Sequence, residues 1–584
     1  MTEKQSSITV SEPRTKICVT LPNDLVLEGP VGALTGEFLH AGAEQLHYEA
    51  PLMGAVCDGQ LRELNYALER DARLEPVLLS HSDGGRIYRR SLVLLMAAAA
   101  GELWPGCRVS VRHAVPDGGF YCTRLDGAPF TTQELAQLER RMRTIIEEDA
   151  PISKRVVPLD EAEELFASRQ EHDKVRLLSQ RTRQDLTLYR LHDRDDYYYG
   201  YMLPSTGYLR LFRLIWVRDG FILQYPRKES TTRLRSIRAY DKLSKVFHQA
   251  DQWLIRMNVE DVGQLNSKIR KENQIHELIL VAEALHEQRI AHIADEICQR
   301  HTEEGVRIIL IAGPSSSGKT TFSKRLAIQL LAYGLRPFTL ELDNYFVDRT
   351  RTPKDEKGDY DFEALEAVDL PLFNAQLLKM IQNEEVQMPS YNFITGESTE
   401  GRVVKLEKNQ IIIIEGIHGL NPALVPEVPD ELIFRIYVSA LTQLNIDAHN
   451  RVPTTDVRLL RRMVRDARAR GYSANDTLTR WPSVRRGERK NIFPFQENAD
   501  VMFNSALVYE LAALRPLAEP LLLQVPYATP AHIEAKRLLS FLGWVHPLHA
   551  EQLEKVPDTS LLREFIGKSS LSNYHSTLSP DEEH

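Results

Sequence analysis

The sequence predicts a multidomain α/β protein, with a parallel sheet covered by helices on both faces and smaller mixed units before it. Three observations carry this reading. At roughly 150 residues per domain, 584 residues provide material for three or four separate cores. Short strand-like runs divided by turn signals fill the region up to Leu79. From Val306 the pattern becomes strand, glycine loop, helix and strand, the alternation of a βαβ unit.

Residues 16–79 contain KICVTL, LVLEGPVG, APLMGAVCDGQLREL and LEPVLLS, which read as a small mixed α/β unit. A helical pattern begins near Arg86. Its run Leu92 to Ala100 is the longest apolar stretch, about half of the ~18 residues that suggest a membrane span, and reads as a core helix. Gln133 to Glu148 is an amphipathic helix. LTLYRL and YLRLFRLIWV read as strands around the turn Pro204-Ser205-Thr206-Gly207. From about Arg238 to Gln299 the chain is charged, helical and free of proline, a connecting bundle. RLLSFLG and LLREFIG, beyond Arg537, are amphipathic and expected to pack on the preceding domain or at an interface.

Composition is that of a globular protein, 43% hydrophobic and 26% charged, and thirty Gly with thirty Pro exclude a collagen-like chain. A net charge of −9 makes a general nucleic-acid coat a poor reading, while leaving room for a local basic patch. Five scattered cysteines without C-x-x-C spacing argue against a disulfide framework and fit a reducing cytosol. The polar N-terminus lacks an apolar targeting segment, so a cytoplasmic location is expected. The polar tail 569–584 is expected to be mobile.

Gly313-Pro314-Ser315-Ser316-Ser317-Gly318-Lys319-Thr320 fits G-x-x-x-x-G-K-[ST], with a strand before it and a helix after, and Thr321 continues it. The glycines let successive N–H groups turn inward, and the helix adds its positive end, so the loop forms a cradle for the phosphates of ATP. Lys319 would reach the β- and γ-phosphates, and the Thr320 hydroxyl would coordinate Mg²⁺. Asp343 follows the strand FTLEL, and Glu415 ends the apolar strand IIIIE. Both acids are therefore expected at the carboxyl edge of the sheet beside the loop.

Arg458, Arg461, Arg462 and Arg465 lie at helical spacing on one face, with Arg468 and Arg470 following. The spacing fits a solvated basic face or an RNA patch. In a kinase it fits a lid whose guanidinium forks close on a transferring phosphoryl group. His276, His286, His292 and His301 show no H-E-x-x-H spacing and read as solvated helix histidines.

GPSSSGKTT, LDNYF, YDFEALEAVDL, MPSYNF, IIIIEGIHGLN and RRMVRDARARG occur in that order, and residues from Ile308 to about Ser505 resemble the uridine kinase/phosphoribulokinase family of P-loop kinases. The resemblance implies that Asp343 takes the proton from the acceptor hydroxyl. It also implies that Thr320, Glu415 and Asp343 meet Mg²⁺, that Arg465 and Arg470 act as lid arginines, and that Asp361, Tyr391, Phe393 and Arg462 surround the acceptor. Where uridine kinases carry a pyrimidine-reading histidine, this chain has ITGES with Gly396. The later lid arginine and glutamine fall at Tyr472 and Arg480.

The first half resembles the N-terminal domains of threonyl-tRNA synthetase: a TGS β-grasp domain at 16–79, and the α+β editing domain at 80–237. The second is carried by IYRRSLVLLMAAAAGELWPG, DGGFYCTRLDGAPFTTQELAQLERRM and LPSTGYLRLFRL. The editing centre's H-x-x-x-H pair, cysteine and histidine are matched here by Arg90, Leu94, Tyr198 and Met202, so its fold is expected without its deacylase site. The remaining partition is a helical connector at 238–304 and a P-loop domain at 305–568. The resulting expectation is an ATP- and Mg²⁺-dependent kinase whose acceptor, in order, is a pyrimidine nucleoside (uridine- or cytidine-like), another nucleoside or a phosphorylated sugar. The competing expectation is an ATP-switched protein whose N-terminal half binds RNA or a nucleotide. No membrane partner is expected, and a homo-oligomer is compatible with the sequence.

Overall fold

The computed structural model describes residues 12–354, 358, 360–361, 363–392, 395–442 and 444–574. The chain divides into two compact units. Unit 1 comprises Met1–Arg238, Asp447–Arg451 and Pro526–Arg537, and unit 2 comprises Ala239–Ile446, Val452–Val525 and Leu538–His584.

Unit 1 begins with strands β1 (Lys16–Thr20), β2 (Val26–Pro30), β3 (Leu52–Cys57), β4 (Gln60–Arg62) and β5 (Ala72–Leu78) in the spatial order β2-β1-β5-β3-β4. β1 and β5 run parallel, and every other neighbouring pair is antiparallel. The helix Thr35–Ala41 places Phe38 and Leu39 in the core of this sheet. There follow β6 (Val109–Val115), β7 (Gly119–Arg124), β8 (Ser153–Pro158), β9 (Asp185–Leu191), β10 (Arg194–Asp196), β11 (Arg213–Val217) and β12 (Gly220–Gln224). They form a four-stranded sheet, β11-β12-β7-β6, and a three-stranded one, β10-β9-β8.

The apolar run Leu92 to Ala100 lies on the helix Ser82–Leu103 and is wholly buried, as a core helix requires. The amphipathic helix Thr132–Glu147 is closed by a capping box: the Thr131 hydroxyl accepts from Glu134 N at 3.2 Å, and Thr131 N donates to the Glu134 carboxylate at 2.8 Å. One strand differs from its sequence expectation. Of YLRLFRLIWV only Arg213–Val217 is extended, because Thr206–Tyr208 forms a 3-10 turn whose Thr206 hydroxyl donates to Ile145 O at 2.7 Å.

Unit 2 opens with the helices Asp241–Met257, Val262–Ile269 and Glu272–Glu303. His286 departs from the solvated reading: it is buried on the last of these, hydrogen-bonds Ala506 O at 3.2 Å, and is pushed down to about 3 by burial. The central sheet follows: β13 (Ile308–Ala312), β14 (Arg336–Glu341), β17 (Gln410–Glu415), β18 (Ile433–Ser439) and β19 (Val501–Asn504), with the hairpin β15 (Glu385–Asn392) and β16 (Glu397–Lys405) outside it. The order is β14-β17-β13-β18-β19, and all pairs are parallel.

Strand pleating explains the apolar runs. Ile309, Ile311, Ile411 and Ile413 face one core with Phe322 of the helix Lys319–Ala332 and Ile290 of Glu272–Glu303. Ile308, Leu310, Ile412 and Ile414 face the other, with Phe373 and Leu377 of Leu370–Ile381. A parallel sheet covered on both sides leaves no polar face, so its strands read as continuous hydrophobic segments. Among the described residues, no helix is long and apolar enough to cross a membrane.

Candidate functional site

The phosphate loop joins β13, the central strand, to the helix Lys319–Ala332. Two of its positions need unusual backbone. Gly318 has φ +86°, and a Cβ at Gly313 would stand 2.0 Å from Val438 O. At Gly313 any side chain would displace backbone, and at Gly318 the left-handed φ favours glycine. Ser316 and Ser317 are buried, Lys319 is half-buried, and Thr320 is exposed on the first turn.

Glu415 ends β17, the strand between β13 and β14, and its register places it opposite both Ile311 and Glu341. The Thr320 hydroxyl donates to Glu415 Oε1 at 3.0 Å. Lys319 Nζ lies 3.4 Å from Pro314 O; burial pulls its pKa down, against the opposing charges of Glu415 and Glu564. Burial pushes Glu415 up, with Lys319 acting against it. Asp343 stands two residues beyond the end of β14, in the turn Leu342–Tyr345, one step later than a strand-end reading places it. Its side chain is open to solvent, yet partial withdrawal of the carboxyl from water and then the Glu341 charge push its pKa up.

The arginine helix is Thr454–Ala469, and it corrects the expectation of one exchangeable face. Arg458 and Arg461 are fully buried. Arg458 pairs with Glu488 and donates to Ser315 O at 2.9 Å, and Arg461 donates to Glu510 at 2.7 Å and Ser505 O at 2.8 Å. Arg458 thus ties the helix to the phosphate loop, and Arg461 ties it to Ser505 and Glu510, so neither belongs to a solvated face. Arg462, expected beside the acceptor, donates to Ser315 Oγ at 2.8 Å. Arg465 and Arg470, expected as lid residues, both pair with Asp466, at 2.9 and 3.5 Å. Tyr472 and Arg480 meet as a cation–π pair with the guanidinium 4.5 Å from the ring centroid.

On the acceptor side, Asp361 N donates to Pro353 O at 2.8 Å, and the Asp361 carboxylate accepts from Glu363 N at 3.1 Å. Tyr391 is buried, its ring edge-on to Phe346 at 5.7 Å. Phe393 lies outside the described residues. Gly396 has φ +78°, and Arg349 occupies the space a side chain would take there, 2.8 Å from a Cβ. Three further side chains stand at the site without any spacing in the sequence that marks them. His418, three residues after Glu415, is buried. Burial pulls its pKa down, while the Glu363 backbone and the charges of Glu366 and Asp361 act the other way. Glu488 accepts from Ser315 N at 3.0 Å, and Glu564 accepts from Thr321. The EGIH order alone signals His418; the two glutamates carry no local pattern.

These features define a P-loop nucleotide-binding fold: a central parallel strand, a glycine loop, a helix start, an acid at the end of the adjacent strand and a second just beyond the next. Residues 308–512 match the Phosphoribulokinase / Uridine kinase family. The N-terminal half is similar to threonine–tRNA ligases. That of Polaromonas sp. is 31% identical over 206 residues, covering 35% of this chain and 32% of that one. That of Marinobacter nauticus is 34% identical over 174 residues, covering 30% and 27%. The match thus spans about a third or less of these relatives' length. Two solved structures show limited likeness: a possible uridine kinase from Bacillus stearothermophilus (19% identity, 34% of this chain and 88% of that one, TM-score 0.23), and D-glycerate 3-kinase from Cryptococcus neoformans (14%, 45% and 89%, TM-score 0.20).

Proposed function

We propose that unit 2 is an ATP- and Mg²⁺-dependent kinase that transfers the γ-phosphoryl group to a hydroxyl of a small acceptor, foremost the 5′-hydroxyl of a nucleoside. The observation that carries this reading is the Thr320–Glu415 contact at 3.0 Å beside Lys319, with Asp343 beyond the neighbouring strand. A hydroxyl and a carboxylate suit Mg²⁺, which usually takes one or two protein ligands and completes its shell with phosphates and water. Bound Mg²⁺ would neutralise developing phosphate charge. Asp343, whose raised pKa favours proton acceptance, is the base for the acceptor hydroxyl. The loop amides and Lys319 hold the phosphates, and Arg465 and Arg470, now paired with Asp466, are assigned to the transferring phosphoryl group. A pure switch needs no such base, which favours the kinase.

The buried Tyr391, the Asp361 loop and Arg349 at Gly396 line the acceptor side in this reading. The preference is expected to differ from that of an ordinary uridine kinase. The deciding experiment is ADP release scored over a panel of nucleosides, ribulose 5-phosphate and other sugars. Response to phosphorylated sugars alone would overturn the nucleoside assignment, and no acceptor-dependent ADP release would overturn the kinase.

Unit 1, in the same proposal, keeps the TGS-like (16–79) and editing-like (80–237) folds without deacylase chemistry. Supporting this, Leu94, Tyr198 and Met202 all belong to one apolar core, and the Arg90 guanidinium is buried against Gly200. The unit is left a role in RNA or nucleotide contact.

A further inference from the structure

Glu564 sits on the short helix Arg563–Ile566, between residues that cannot easily move: Leu561, Leu562 and Phe565 are fully buried. Its carboxylate points at the phosphate loop. Glu564 Oε2 accepts from the Thr321 hydroxyl at 2.9 Å and from Thr321 N at 3.3 Å. With Gly318 as N-cap, Thr321 is the third residue of its helix, so this N–H is one of the four that a helix leaves without an internal partner. In a phosphate loop those donors serve the α- and β-phosphates. An anion from the chain itself therefore stands at an anion position of the cradle.

The surrounding contacts hold the backbone of this segment in place. Arg468 donates to Phe565 O at 3.3 Å and Glu564 O at 3.2 Å. Lys324, three residues after Thr321, donates to Leu571 O at 2.7 Å and Ser572 O at 3.0 Å. Leu561 Cδ2 lies 3.0 Å from the place of a Cβ at Gly318. What remains free to move is the glutamate side chain, which is only partly buried.

We propose that the Glu564 carboxylate is an internal competitor for the α-phosphate of the nucleotide, occupying the Thr321 donors until a nucleoside di- or triphosphate displaces it by side-chain rotation. The proposal rests on the nucleotide-binding reading of the loop. It makes nucleotide affinity the difference between two anions at one helix end, so removing the resident charge raises affinity. The plainer role, a helix cap supplied from a distant segment, stabilises the helix but does not oppose nucleotide.

Calorimetric titration of the full chain with Mg-ADP, for the parent, Glu564→Gln and Glu564→Ala, separates these roles when thermal unfolding is recorded alongside. The expected result is about ten-fold tighter binding in both variants, equivalent to about 1.4 kcal/mol. Unchanged affinity with a lowered Tm makes Glu564 a cap only and overturns the proposal. Weaker binding makes it a direct nucleotide ligand and also overturns it. If neither the parent nor the variants bind Mg-ADP, the nucleotide-binding reading falls and takes this proposal with it; equal binding by all three removes the competitor alone.

Discussion

The Thr320 hydroxyl and Glu415 Oε1, 95 residues apart, meet at 3.0 Å and tie the first turn of the phosphate-loop helix to the end of β17. A divalent cation shared by these two groups, as proposed, would make the metal requirement sensitive to either one. Glu415→Gln is expected to raise the Mg²⁺ concentration for half-maximal turnover by roughly ten-fold, the loss of one charged ligand. A magnesium titration at fixed ATP checks it, and an unchanged midpoint would remove Glu415 from the metal shell.

Asp343→Asn is expected to slow phosphoryl transfer by about 10² to 10⁴ while leaving ATP binding nearly intact, the usual range for general-base assistance. Single-turnover rates beside ATP affinities provide the comparison. Activity within a few-fold of the parent would exclude Asp343 as the base.

His418 lies buried three residues behind Glu415, its ring beside the Glu363 backbone. An acceptor that supplies a partner recovers roughly the value of one neutral hydrogen bond. His418→Asn is expected to raise the acceptor KM about three- to ten-fold without altering ADP affinity. A parallel loss of ADP binding would show that the residue supports the phosphate loop instead.

The full chain is expected to leave seryl- and threonyl-tRNA esters intact. Leucine and methionine at 94 and 202 cannot orient water, and both are buried in the apolar core. The assay follows the ester bond over time. Cleavage above the uncatalysed rate and lost in Tyr198→Phe would reveal a different catalytic set.

Asp196 is fully buried, with His449 Nδ1 at 2.7 Å, Arg194 at 3.4 Å and Lys174 in contact. Although burial works against it, the charges of Lys174 and His449 hold its pKa well below the usual aspartate value. A depressed carboxylate stabilises the folded state fully above the unfolded pKa of about 3.9, and loses that contribution as pH falls towards the folded value. Asp196→Asn is expected to destabilise unit 1 by roughly 3 to 5 kcal/mol at pH 7 and to flatten its loss of stability below about pH 4. Hydrogen exchange in β9 and β10 reads both effects, and wild-type protection at pH 7 would contradict the first.

Sequence made β13 and β17 legible because both are buried on two faces, while β18 and β19 carried no motif that marked them; it made the phosphate loop legible because glycine and lysine spacing is dictated by backbone geometry. Glu415 was equally visible at the end of IIIIE. Arg458 and Arg461 misled for a physical reason: helical spacing records which residues share a face, not whether Glu488 and Glu510 wait on the other side of it. Their partners lie 30 and 49 residues away, beyond any periodicity. Glu564 is more remote still, 243 residues from Thr321.

Residues Asp447–Arg451 and Pro526–Arg537 are numbered among the kinase-like sequence but fold as part of unit 1. A gene cut after Arg238 would therefore release a protein missing its own parts: Asp196 would lose His449, Tyr197 would lose Asp447, and Arg86 would lose Glu534. Each loss takes one partner from a charged or polar group, although Asp196 keeps Lys174 and Arg194, and Arg86 keeps Asp83. The boundary at Arg238 is therefore not a clean cut: unit 1 is completed by residues that come more than two hundred positions later in the chain.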